Sequence, residues 1–594
     1  MAQALDYVEA PPVRSRLPEG SRGANDRYKW VVLSNTTLGI LMAAMNSSIL
    51  LISLPAIFRG IQINPLAPGQ SSFLLWILLG YMIVTATLVV TFGRISDMVG
   101  RVKMYTLGFA IFTLASILLS LTPGTGTQGG LELLIFRLVQ GVGGAFLFAN
   151  SAALLTDAFL ARQRGLAMGV NQIAGIAGAL GGLLVGGVLA TIQWRLVFWV
   201  SVLFGVFGTI WAYLKLHETA TIRRGQQIDY LGNATFAIGL TVLLVGLTYG
   251  IEPYGTSSMG WGNPFVIASL IIGIVFFLAF VLVEMRVKDP LFHLELFNIR
   301  MFAAGNLSNF LGSLARGGLQ FMLVIWLQGI WLPLHGYSYA DTPLWAGIYM
   351  MPMMAGFMVA GPLSGILSDR FGARRFTSGG MLVTTVGFIL LTMLPGDFNK
   401  WLFFALLIFL GVGMGLFSAP NTSSVMSSVP PEMRGAASGM LATFQNAGMM
   451  MSMAVFFSIL TGGLAARLPA VMEHGLVANG LPMPVAQSIA HLPPIGVLFA
   501  AFLGYNPMQS LVPADVAQHL SAAAQATLFG KTFFPTLILP AFMDGLKLAF
   551  YVSAGMSLIA TIASVLRGKV VFYGQTASRD VTTGQGQDSE RGGR

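Results

Sequence analysis

The stretch Gly93-Arg94-Ile95-Ser96-Asp97-Met98-Val99-Gly100-Arg101-Val102-Lys103 occurs again 272 residues later. There it reads Gly365-Ile366-Leu367-Ser368-Asp369-Arg370-Phe371-Gly372-Ala373-Arg374-Arg375, with Gly, Ser, Asp and Gly at matching places. Two further blocks repeat in the same order at an offset of 270: Gly141-Val142-Gly143 returns as Gly411-Val412-Gly413, and Arg164-Gly165 through Gly169 returns as Arg434-Gly435 through Gly439. Three blocks in one order at nearly one offset mark a duplicated unit. Whatever the first unit builds, the chain must build twice, with each basic turn wedged between two long apolar segments.

Those segments fix the solvent. Only 9% of the 594 residues are charged, 55% are hydrophobic, and the mean hydropathy is +0.74. A soluble domain carries about 25% charged residues, so this chain has too little charge to cover a water-facing surface. It reads as an all-α polytopic membrane protein. Runs long and apolar enough to span lie near 30–54, 73–93, 103–121, 131–153, 166–191, 196–215, 229–250, 263–284, 302–332, 344–367, 376–394, 401–420, 435–462 and 544–566, fourteen in all. The net charge of +10 suggests nucleic acid as a partner, but the basic residues sit in short loops between spans, where topology puts them. No cleavable leader is read at the N-terminus, because no small-residue site trails the first apolar run. The chain has no Cys, so thiol chemistry is excluded.

Fourteen spans leave both termini on one side. If that side is the cytoplasm, twenty-five of the 33 Lys and Arg residues fall inside and five outside (Arg59, Arg195, Lys400, Arg467 and Lys531). This is the bias expected of a multi-pass protein of a cytoplasmic membrane. The repeats then divide the chain. A cytoplasmic N-terminal tail (1–29) precedes a six-helix bundle (30–215), two inserted helices with a cytoplasmic linker (216–284), a second six-helix bundle (285–566) and a disordered cytoplasmic tail (567–594). The long outer loop at 463–543 contains an apolar run from Ile495 to Leu503 between Pro493, Pro494 and Pro507. It is too short to span. It is either a surface-packed segment or a lid or re-entrant element over the outer mouth.

No catalytic constellation, metal-ligand spacing or phosphate loop is present, so neither a cofactor nor enzymatic activity is expected. Attention falls on polar residues in apolar spans. Arg137, followed by Gln140-Gly141, lies within the fourth span, where a charge costs about 2.5–3.5 kcal/mol on insertion scales. It either faces the protein interior or snorkels outward. Its repeat counterpart is Leu407, so only one half carries the charge. Arg316, in the ninth span, either pairs with an acid or holds a substrate group, or sits shallow. Span 4 has acids near its ends, Glu132 and Asp157, whereas span 1 has Asn46 at its middle. Gly178, Gly182 and Gly186, four apart on one helix face and joined by Gly187, permit close helix approach.

These residues resemble the major facilitator superfamily, specifically its fourteen-helix drug:proton antiporter branch. The resemblance covers nearly all of 30–566. The Gly93–Lys103 turn and its repeat are similar to the superfamily's cytoplasmic loop motif, and Arg137 with Gln140-Gly141 to a span-4 motif implicated in proton coupling. The span-5 glycines with Trp194-Arg195 and Phe198 resemble the antiporter signature. Ile228-Asp229-Tyr230-Leu231-Gly232, Glu284 through Pro290-Leu291, and Trp326-Leu327-Gln328 resemble features of the fourteen-helix branch. Two departures stand out. Leu183 replaces the usual Pro, and Asn46 stands where the branch usually has a titratable Asp in span 1.

The resemblance implies two six-helix bundles with two extra helices between them. It also implies a monomer, embedded in lipid, that exports hydrophobic, amphipathic or cationic compounds by alternating access, driven by protons. Coupling and gating are expected of Arg137, Gln140, Glu132, Asp157, Asp97, Arg101, Asp369 and Arg370, with Asp97 and Asp369 latching the cytoplasmic gate. A substrate cavity is expected at Asn46, Asn171, Gln172, Arg316, Gln320, Trp326, Gln328, Asn421, Gln445 and Asn446. The alternatives are an exporter of one metabolite, lipid or siderophore with different coupling, and a non-transporting membrane scaffold or receptor.

Overall fold

The computed structural model describes residues 21–568, apart from 68–69, 160–162, 219–228, 256, 258, 288–289, 291, 431–432 and 505. The distal parts of both expected tails, much of the cytoplasmic linker and the Asp369 side chain lie outside the described residues. Within them the chain is helical, with no strand beyond an isolated bridge between Tyr254 and Ser257. In lipid every backbone N–H and C=O must be satisfied within the segment, and helices achieve this.

Among the described residues, fourteen helices are long and apolar enough to span. They are α1 Ser21–Gly60, α2 Gln70–Val99, α3 Arg101–Leu121, α4 Gly126–Ala158, α5 Arg164–Ile192, α6 Leu196–Lys215, α7 Tyr230–Ile251, α8 Pro264–Glu284, α9 Arg300–Leu334, α10 Thr342–Phe371, α11 Ala373–Thr392, α12 Lys400–Ser427, α13 Arg434–Ala478 and α14 Phe533–Val565. Each overlaps one expected span. The largest boundary differences flank the outer loop. There α13 continues to Ala478 through Gly462 and Gly463, and α14 begins at Phe533 rather than near 544. The polar residues that argue for a loop are accommodated by pairing: Arg467 of α13 meets Asp544 of α14 at 2.8 Å.

The duplication is visible as packing. Helix α1 lies on α5 as α9 lies on α13, α2 on α4 as α10 on α12, and α3 on α6 as α11 on α14. The two basic turns share one backbone device. Gly100 (φ 126°) and Gly372 (φ 88°) both adopt the left-handed region that favours glycine, each ending one helix and starting the next. Between the bundles α7 and α8 pack on each other, and α7 also touches α2 and α13, so the inserted pair leans on both halves. Asp229 caps α7, accepting the Gly232 N–H at 2.7 Å. A side chain at Gly232 would strike the Asp229 carboxylate and lie 2.9 Å from Glu284 Oε1, so the Asp-Tyr-Leu-Gly motif is a helix start shaped to fit its neighbour.

Candidate functional site

A chain of polar side chains crosses the centre of the α1–α6 bundle. Arg137 is 1% exposed. Its Nε donates to the Ile77 carbonyl at 3.3 Å, a second nitrogen donates to Gln140 Oε1, and its guanidinium lies 4.4 Å over the Tyr81 ring. Gln140 Nε2 donates to Ser116 Oγ at 2.8 Å and to Asn46 Oδ1 at 3.3 Å; Ser201 donates to the same Asn46 oxygen at 3.3 Å. Five helices (α1, α2, α3, α4 and α6) thus contribute to one buried network. It contains a cation, amides and hydroxyls but no carboxylate. An Arg can be held so, because the carbonyl, the amide oxygen and the ring face each repay part of its desolvation.

The network brings Arg137, Gln140 and Asn46 together. Asn46 is 3% exposed and bonded inside one bundle. Tyr81, Ser116 and Ser201 belong to the network as well, and sequence reasoning missed them. Hydroxyls in apolar helices commonly satisfy themselves on the preceding turn, as Ser116 does on Phe112 O at 2.7 Å, so they carry no pattern. The α4 acids stand apart from the network. Glu132 accepts from Gly124 N at 3.0 Å, and Asp157 receives Arg101 at 2.7 Å. Arg101 also meets Asp97 at 2.7 Å, so it ties the ends of α2, α3 and α4 within one bundle. Arg370 is exposed.

The other expected cavity residues divide into two groups. Trp326, Gln328 and Asn421 are fully buried in helix contacts. Trp326 and Gln328 occupy a π-helical turn, Trp326–Trp331, and Gln328 reaches across the bundles to donate to Ile52 O at 3.0 Å. Asn421 donates to Gly305 O at 3.3 Å and receives Arg567, a buried cation at the position where the sequence reading began the disordered cytoplasmic tail. Asn171, Arg316, Gln320, Gln445 and Asn446 are half-buried and Gln172 is exposed.

The seam between the bundles is unequal along its length. At the end away from the basic turns, a Cβ on Gly187 of α5 would lie 2.6 Å from Leu344 Cα of α10, and one on Gly347 would lie 2.7 Å from Leu183 O. Within the first bundle, Gly178 and Gly182 of α5 fit against the Leu41 and Met45 carbonyls of α1. Toward the basic turns, Gly169 and its repeat counterpart Gly439 would meet nothing within 4 Å. The far end is further filled by the outer connection. Its Pro494–Phe502 helix is buried throughout, with Phe502 against Gly329 of α9, Phe499 against Phe457 of α13, and Gly496 against Pro65 of the α1–α2 loop. Of the two readings of the Ile495–Leu503 run, the surface-packed one is corrected: nine consecutive apolar residues flanked by prolines find more contact in the seam than at an interface.

A family model described as Major Facilitator Superfamily matches residues 36–229 and 231–453. The multidrug transporter protein MdtP of Bacillus subtilis is 26% identical over 551 residues, spanning 91% of this chain and 93% of the relative. The tetracenomycin C resistance and export protein of Streptomyces glaucescens is 24% identical over 543 residues, spanning 91% and 92%. The riboflavin transporter RibZ of Clostridioides difficile is 27% identical over 439 residues, spanning 74% and 90%. Among solved structures, a bacterial homologue of the human lysosomal transporter Spinster, inward-facing and unoccupied, superposes with a TM-score of 0.50 at 16% identity, covering 91% of this chain and 97% of the other; this is a likeness of fold.

Proposed function

The chain belongs to the major facilitator superfamily, and from that premise we propose that it exports hydrophobic and amphipathic organic compounds by alternating access, as a proton-driven antiporter in a cytoplasmic membrane with both termini inside. The observation that carries the reading is the unequal seam. The bundles interlock through Gly187, Leu344 and Gly347 at one end, while Gly169 and Gly439 face open space at the other. Two rigid units hinged on close glycine contacts can rock, which is what alternating access asks of them. The multidrug and antibiotic-export relatives, aligned over nine-tenths of the chain, support the class of cargo.

Coupling is assigned to the α4 side of the first bundle. Arg137 is the fixed charge. Since Asn46 cannot titrate, the proton falls to Glu132 or Asp157, the acids on the Arg137 helix. Proteoliposomes loaded with an amphipathic dye test this. Efflux should run while a pH gradient is imposed and stop when it is collapsed. Efflux indifferent to the gradient removes proton coupling, and no flux under any gradient favours a scaffold.

A further inference from the structure

We infer that a cavity at the far end of the seam binds the anionic headgroup of a membrane amphiphile, a phosphate or carboxylate on an acyl chain, and that the bound amphiphile slows export by holding that end closed. The second half rests on the reading of the bundles as units that rock.

The cavity measures about 290 Å³. Ala56 and Arg59 of α1, Ala190 and Thr191 of α5 and Trp194 of the α5–α6 turn line it from the first bundle, and Ala340 of the α9–α10 loop lines it from the second. It adjoins the interlock of the two bundles. Ala190 lies three residues past Gly187, and Ala340 four residues before Leu344, the residue that a Cβ on Gly187 would approach to 2.6 Å. At about 100° per residue, Ala190 points between the directions of Gly186, which faces α1, and Gly187, which faces α10. Pockets for drug-sized ligands measure about 300–1,000 Å³, so this space suits a headgroup better than a whole drug.

The lining is charged on one side of neutrality. Arg59 is its only ionised residue. It donates one hydrogen bond, to Tyr339 O at 3.3 Å, and enters no ion pair among the described residues. Asp341, next in sequence to Ala340, accepts from Ser338 Oγ at 2.6 Å and does not line the cavity. Arg195 adds a second positive charge behind the wall, 4.4 Å over the Trp194 ring. The mouth indicates the rest of the ligand. Ile192 also lines the cavity and is 68% exposed; with Val188, one turn back, it lies on the side of α5 turned away from α1. An acyl chain can leave along these two side chains into the lipid while its head accepts a charge-assisted hydrogen bond from Arg59. The enclosure exists only while the bundles touch. Parting them at this end carries Ala340 and Tyr339 away from Arg59, so the ligand favours the closed state and shifts the equilibrium toward it.

Dansylamino-undecanoate, added to the purified full-length chain in phosphatidylcholine nanodiscs, tests the site once the signal of empty nanodiscs is subtracted. Dodecyl phosphate should displace it, whereas dodecyltrimethylammonium and inorganic phosphate at the same concentration should not. Arg59→Gln should weaken binding by at least about tenfold, the worth of one charge-assisted hydrogen bond, and Arg59→Lys should retain part of the affinity. Ala340→Phe keeps the charge, fills the space and should also weaken binding. Displacement by dodecyltrimethylammonium or by inorganic phosphate as complete as by dodecyl phosphate, or binding that survives both Arg59→Gln and Ala340→Phe, would overturn the site. Dye efflux from proteoliposomes tests the inhibition, each chain being compared with its own rate in phosphatidylcholine alone. Phosphatidylglycerol or added laurate should slow the wild-type chain more than Ala340→Phe; the first result assigns the site to a bilayer lipid, and the second without the first to a free fatty acid. Efflux slowed equally in both chains would overturn the inhibition and leave export standing. Arg59-dependent binding with no efflux in any lipid would sink export, and the inhibition with it, and leave the site standing.

Discussion

Arg137 is buried at the depth where an isolated guanidinium costs about 2.5–3.5 kcal/mol, and it holds no acid. Its charge rests on Ile77 O, Gln140 and the Tyr81 face. Arg137→Ala should abolish gradient-driven efflux while the chain still inserts and elutes as a folded species. Arg137→Lys should not rescue it, because a point charge cannot reach the carbonyl and the amide while covering the ring; efflux of either variant near the wild-type rate would refute a coupling role. Asn46→Asp places a carboxylate against Gln140, one side chain from Arg137, and should impose a new pH dependence on efflux. A second residue-scale expectation concerns Glu252, just past α7. Burial raises its carboxyl from 4.5 to about 7, and its Oε1 has no partner. A raised folded-state value means stability is full below about pH 4.5 and is lost as pH rises toward 7. Glu252→Gln should therefore raise the melting temperature at pH 8, relieving at most about 1–3 kcal/mol, with the difference vanishing near pH 4.5. Arg137 and Gln140 were legible in the sequence because a charge in an apolar run must be explained. The unfilled Glu252 oxygen was not, because burial at a loop depends on neighbours that sequence spacing does not specify.

Helix α5 shows how much of an element can be read from spacing. Gly178, Gly182 and Gly186 predict one close face, and all three abut the α1 backbone or side chains. The partner helix is not given by the spacing, nor is the separate role of Gly187, which faces α10 instead. Gly182→Val must displace the Met45 carbonyl, 2.6 Å from the position its Cβ would take, and should destabilise by about 1–3 kcal/mol. Gly169→Val, on the same helix but with nothing within 4 Å, should be tolerated. Equal thermal inactivation of the two variants would show that the α1–α5 contact is not tightly packed. The ends of α13 and α14 were hidden for the converse reason. Charge is the sequence's chief loop signal, and the ion pair of Arg467 with Asp544 lets both helices run on as a paired extension beyond the expected spans.

On the scale of the whole molecule, the pairing α1–α5 and α9–α13 repeats as the duplicated turn requires. What breaks the twofold relation is the outer connection, which has no counterpart in the first half. Its Pro494–Phe502 helix touches Pro65 on one bundle and Gly329 on the other. If the bundles rock to open that end, this helix must leave at least one of them, so fixing it to the first bundle should hold the far end shut. The chain contains no Cys, which makes a covalent test unambiguous. A Cβ on Gly496 would lie 3.8 Å from Leu66 Cα, close to the separation that a disulfide bridges. Gly496→Cys combined with Leu66→Cys should cross-link on oxidation and stop efflux from proteoliposomes, and a reductant should restore it; each single variant should transport in either condition. The cross-linked chain should still bind dye from the basic-turn end, because Gly169 and Gly439 are open there. A fully cross-linked chain that exports at the uncross-linked rate would show that this helix travels with the first bundle and takes no part in closing the far end.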